Sequence, residues 1–194
     1  MQPFMRRKRD RIWAEFTYFE ARLLVTLTGQ VASLLSDRHA IETADPDPLA
    51  SVINAGAPAT EPDDPVLARL LPSAYRDDFE DAADFRRLTE RSLAEHKLRN
   101  SQLIVDTLVE AGFDPDVEEG PPLEIELNEG AALAWLTALN DVRLALSIRL
   151  GITDERDSGY LLRSADDSKS AMAEIYEWLG FVQESLVGSI QIGK

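Results

Sequence analysis

The chain has 194 residues, no cysteine and only two histidines, and its 20 basic against 35 acidic side chains set a net charge of −15. That length is enough for one domain with a core needing no covalent staple. The composition excludes disulfides, thiolate metal sites, cysteine nucleophiles and thiol switching within the chain. It also leaves His39 and His96 too few to make a zinc site, so neither metal nor cofactor is expected.

The first eleven residues oppose the overall charge. Arg6, Arg7, Lys8, Arg9 and Arg11 stand against Asp10, which leaves −19 on residues 12–194. A body that acidic repels a phosphate backbone over its surface, so any contact with DNA falls to this basic tail. The tail has three readings: a solvated charge run, a docking element for phosphate or an acidic protein surface, or a segment folded back on its own acidic body. All three weaken with salt. No run of about eighteen apolar residues suggests a membrane span, and the N-terminus lacks a signal peptide's apolar core, so a cytoplasmic protein is expected.

Ile12-Trp13-Ala14-Glu15-Phe16 alternates apolar and polar residues as a half-buried strand does. Thr17-Tyr18-Phe19-Glu20 then has the form of a capping box, opening a helix with Leu23, Leu24, Leu27, Val31, Leu34 and Leu35 on one face. Prolines and acids crowd residues 42–65, which read as a flexible loop with one helical turn near Leu49–Asn54. VLARLLPSAY, from Val66, reads as a short helix stopped at Pro72. A long helix follows from about Asp78 to Ala111, with Asp77 and Glu80 as capping candidates and Gly112 and Pro115 beyond its end.

Charges sit on that long helix's apolar face. Phe79, Ala82, Leu93, Ile104 and Leu108 define a stripe that includes Arg86, Glu90, Lys97 and Asn100, while Asp84, Arg91, Glu95 and Asp106 lie opposite. Arg86 and Glu90, four apart, can pair.

Leu123–Leu127 is a second alternating strand, expected to pair with Ile12–Phe16 as a small ribbon. Asn128 caps the next helix, which runs to a left-handed Gly151. Its apolar residues leave no wide polar arc, the pattern of a helix surrounded by others. Asn140, Asp141, Arg143 and Arg149 are set into it and need partners, since an ionised group buried alone costs several kcal/mol. Arg86, Glu90, Lys97 and Asn100 are the obvious complements. Together with Asn140, Asp141 and Arg143 they form either a structural network fixing how helices cross or a polar cleft for an anionic ligand or partner side chain.

A last helix spans about Asp166–Ile190, with Met172, Ile175, Leu179, Val182, Leu186 and Ile190 facing inward. Trp178 and Phe181 lie off that stripe. They either dock elsewhere on the chain or form the aromatic patch of a partner surface, a homodimer included. Other chemistry is thin: His96 has no poised partner for general-base work, and Asp114, Asp116, Glu118 and Glu119 lack the ligand spacing of a calcium loop.

ARLLPSAYRDD at 68–78, FRRLTE at 85–90, WLTALNDVRLALSIRLGI at 135–152 and YEWLGFVQESLV at 176–187 together resemble an actinobacterial family long described as a domain of unknown function. It is the family of the actinomycete oxidative-stress regulator, and the similarity covers nearly the whole chain. The resemblance implies a cytoplasmic regulator of transcription that responds to oxidative stress with an alternative sigma factor or RNA polymerase and promoter DNA. Redox sensing in that family uses cysteines within the regulator. This chain has none, so the thiol switch does not carry over.

The fold expected is mainly α, about five helices around a central buried one with a minor two-stranded β ribbon, organised as a basic tail (1–11) and a single helical domain (12–194). The leading functional expectation is a non-enzymatic regulator of transcription working by protein contact, with the tail assisting at DNA. An adaptor or scaffold with no nucleic-acid role is the alternative. An enzyme is third, and requires an enclosed pocket lined by Arg86, Glu90, Asn140 and Asp141.

Overall fold

The Asn128 side chain accepts from the Ala131 amide at 2.8 Å, and Gly151 closes the same helix in the left-handed region at φ 70°. Between these signals lies the longest apolar stretch of the chain. The computed structural model describes residues 1–7, 11–43, 61–73, 79–152 and 167–191. Residues 44–60 of the loop expected at 42–65, with its helical turn, the capping candidate Asp77, residues 153–166 and the tail residues Lys8 and Arg9 lie outside them, while residues 42 and 43 of that loop belong to a helix.

In chain order the elements are β1 (Gln2–Arg7), β2 (Arg11–Phe16), α1 (Tyr18–Thr43), α2 (Pro65–Leu70), α3 (Phe79–Glu110), β3 (Leu123–Leu127), α4 (Glu129–Leu150) and α5 (Asp167–Gln191). The fold is mainly α with a minor β element. The capping box forms as the sequence suggests: Glu20 Oε2 accepts from the Thr17 amide at 2.8 Å, and Thr17 Oγ1 accepts from the Glu20 amide at 3.2 Å. Asp64 caps α2, accepting from the Val66 and Leu67 amides.

The ribbon expectation is half of what is found. β2 and β3 pair antiparallel with Ile12 opposite Leu127 and Phe16 opposite Leu123, but the sheet has three strands in the order β1-β2-β3. The extra strand comes from the segment expected as a basic tail. Pro3 and the arginines disguise β1 because an edge strand tolerates a proline and surface charge where a central strand does not. A register shift between Gln2 and Met5 interrupts its pairing with β2.

Phe4 anchors β1. Its ring meets Phe16 and Trp135 edge-on at 5.9 Å each, while Phe16 and Trp135 stack at 6.0 Å, so three rings join the sheet to α4. The Phe4 amide also donates to Ser185 Oγ of α5 at 3.2 Å, tying the first strand to the last helix.

α4 packs against α1, α2, α3 and α5 and touches β2 and β3. Trp135, Ala138, Leu139, Val142 and Leu146 are buried on its inner side. Its length and composition alone would let it cross a membrane, a property it shares with core helices of soluble folds. It is not sheathed on every side, however. Leu133 is 49% and Ile148 36% exposed, and Thr137 and Asn140 are exposed between them. The sequence shows no such opening because apolar residues of several kinds (Leu, Ile, Val, Ala and Trp) are spread around the whole circumference. Hydrophobicity marks which residues can be buried and not which are.

Candidate functional site

Most polar residues of the long-helix stripe and of the central helix separate into three clusters, each bridging a different set of helices. In the first, Glu90 of α3 takes two guanidiniums: Arg86 Nη1 at 2.9 Å on Oε2, one turn earlier on α3, and Arg38 Nε at 3.1 Å on Oε1, from α1. Arg86 also donates to the Leu71 carbonyl at 3.3 Å, which holds the end of α2 against α3. Arg86 and Glu90 are both buried. A cleft of about 330 Å³ opens beside them, walled by Leu71, Pro72, Phe85, Thr89 and Leu93.

In the second cluster, Lys97 Nζ of α3 reaches Asp141 Oδ1 of α4 at 2.5 Å. Asp141 is 1% exposed, and its Oδ2 is buried with no hydrogen-bond partner. Burial pushes its carboxyl above the ordinary aspartate value of 3.8. The Lys97 ammonium opposes that rise without cancelling it, and His96 adds a smaller pull in the same direction as Lys97. Asn100 is buried one turn further along α3 and faces His96, Nδ2 to Nδ1 at 3.3 Å.

The third cluster joins α4 to α5. Arg143 Nη1 donates to Gln183 Oε1 at 2.6 Å, and the guanidinium carbon lies 4.7 Å from the centre of the Tyr176 ring. Gly180 lies beside the guanidinium, where a Cβ would sit in ordinary contact at 3.4 Å from Arg143 Nη2. Arg143 Nε and Trp178 Nε1 are buried without a hydrogen-bond partner.

Two expectations need correction. Asn140, assigned to the buried network, is exposed, because it lies on the outward arc of α4 about 100° away from its neighbour Asp141. Arg149 is exposed as well. Arg86 and Glu90 border the cleft, but Asn140 and Asp141 do not, so the pocket required for the enzyme reading is not assembled from those four residues.

Sequence reasoning missed Arg38, Tyr176 and Gln183. Arg38 had a signal: it stands seven after Val31 and three after Leu35, on the stripe that α1 turns inward.

The basic segment is also recast. Arg7 stacks on the Trp13 ring at 3.9 Å, and Arg11 lies 3.6 Å from Glu126 across the sheet. Arg6 lies opposite Ile12 within β1. These are residues of a folded sheet and not of a free tail. Phe181 is 51% exposed on α5, whereas Trp178 is half-buried and packs against the core, so the two do not form one aromatic patch. Among the described residues no group of three metal-ligating side chains comes together.

The arrangement defines a mainly helical domain whose buried ionic groups, among the described residues, act as struts between helices in separate small clusters and not around a common centre. The chain belongs to the DUF2017 family, a domain of unknown function, whose family model matches residues 1–190. Over 181 residues it is 33% identical to the oxidative stress regulator AosR of Mycobacterium tuberculosis (strain H37Rv), with 87% of this chain and 77% of that protein covered. The same figures hold for the putative oxidative stress regulator AosR of Mycobacterium leprae (strain TN). No solved structure matches the chain.

Proposed function

We propose that this protein regulates the response to oxidative stress, and that it does so by contact with another protein of the transcription apparatus, a sigma factor or RNA polymerase. The observation that carries the reading is the identity to the AosR regulators over most of both chains. Charge supports the mode of action. A net charge of −15 opposes approach to DNA, and Arg7, which a DNA-docking tail would need, packs on Trp13 within the folded sheet. With no cysteine in the chain, this reading gives no part to a thiol switch within it.

The test is deletion of the gene in its host followed by a hydrogen peroxide challenge and transcript profiling, with complementation by the full chain. The expected result is a peroxide-induced set of transcripts that fails to rise and is restored by complementation. An unchanged peroxide response would overturn the proposal. Capture of the native protein separates the modes: co-purifying polymerase or sigma factor supports protein contact, while salt-sensitive promoter binding by the protein alone would replace it with direct DNA recognition.

A further inference from the structure

We infer that the open side of α4 is a self-association surface on which a second copy of this chain docks antiparallel about a two-fold axis near Asn140. Leu133, Thr137, Asn140, Leu144 and Ile148 fall within about 80° of the helix circumference at 100° per residue. Leu133, Thr137, Asn140 and Ile148 are exposed and Leu144 half-buried. None is ionised. The arc is bounded on one side by the Lys97–Asp141 pair, which ties α4 to α3, and on the other by Arg143 with Gln183, which ties it to α5.

Two features select a second copy as the occupant. The stripe reads nearly the same in both directions from Asn140: an antiparallel mate sets Leu133 against Ile148, Thr137 against Leu144, and Asn140 against Asn140. A two-fold axis requires such self-complementarity, and a primary amide, which both donates and accepts, supplies it at the axis. A single polar Asn amid apolar contacts is also a device by which paired helices fix register at some expense of stability.

The second feature is charge. Two molecules of −15 repel each other through most of their surfaces, and the uncharged arc is where they can approach. One helix face of about 22 Å, at 1.5 Å per residue, is below the area of a permanent dimer, so the association is reversible and depends on concentration.

Sedimentation equilibrium of the full chain at rising concentration, in low salt and in about 0.5 M salt, reads this directly. The expected mass moves from 21.6 kDa toward twice that value, and more readily at high salt, because screening removes the repulsion between like-charged copies. N140D, at an exposed position, is expected to keep the far-ultraviolet dichroism of the parent and to weaken dimerisation at least about tenfold by placing two carboxylates together at the axis. F181E, on the outer face of α5, leaves it unchanged. Because the chain has no cysteine, N140C under mild oxidant is expected to give a disulfide-linked dimer where F19C, on α1, does not. A wild-type monomer at hundreds of micromolar in high salt overturns the inference. So does a dimer that N140D leaves intact, or one that F181E dissolves.

Discussion

Lys97 Nζ lies 2.5 Å from Asp141 Oδ1, so the contact between α3 and α4 includes a buried carboxylate that is satisfied through one oxygen and unsatisfied through the other. Asp141 already takes up a proton more readily than usual, with burial outweighing the neighbouring ammonium.

Lys97→Met removes that ammonium and strands the carboxylate. At neutral pH the expected loss is about 3–5 kcal/mol, the range for breaking one side of a buried pair. The sign with pH follows from linkage. A carboxyl whose folded pKa is raised binds its proton more tightly in the native state, so stability falls as pH rises from 3.8 through the folded value and then levels off. Urea unfolding at several pH values should show K97M closest to wild type in mild acid and furthest from it above neutrality. The double variant K97M/D141L, which removes both charges, should recover most of the loss.

Glu90 is the shared acceptor of two guanidiniums from two helices. Glu90→Gln leaves Arg86 buried without its counter-charge and is expected to destabilise by about 3–5 kcal/mol, whereas Arg38→Ala leaves the Arg86–Glu90 pair intact and loses less. Denaturant midpoints of the two variants give the ordering. Equal losses would show that Arg38 carries as much of the cluster as Glu90.

Phe4 separates a strand from a tail. Phe4→Ala empties the space between Phe16 and Trp135 and should lower stability by about 3–5 kcal/mol in thermal or urea unfolding. A solvated basic arm would tolerate the change with no effect.

Tyr18 ties α1 to the turn after α3: its hydroxyl donates to the Asp114 carbonyl at 2.6 Å and accepts from the Asp114 amide at 2.9 Å. Tyr18→Phe removes both bonds, at an expected loss of about 1–3 kcal/mol. Gly120 lies against the same ring, and a Cβ there would come within 2.5 Å of two ring carbons. Gly120→Ala should therefore destabilise as well. Because both changes act on one contact, the double variant should lose less than the sum of the singles.

Local signals were legible in the sequence wherever one residue type does one job. Thr17 with Glu20, Asn128, Gly151 and the alternation at Ile12–Phe16 and Leu123–Leu127 each specify a cap or a strand through short-range chemistry, and the structure has them there. The Lys97–Asp141 pair was legible as complementary charges on two inward faces. What depended on the relative placement of helices was not. Arg38 reaches Glu90 across 52 positions, Arg143 chooses α5 over α3, and Asn140 faces outward although its neighbour is buried. Helical periodicity gives angles around one axis and says nothing of which neighbour occupies which angle. Phe4 shows the same limit in a strand, since its burial depends on Trp135, far along the chain.

The bond from Phe4 to Ser185 spans 181 positions, so β1 is synthesised well before α5 and waits for it before that flank is closed. Until then the β1–β2 hairpin can form, but the α5 side of β1 stays open in the nascent chain. Joining such distant segments is entropically slow, which places completion of this fold after synthesis of α5.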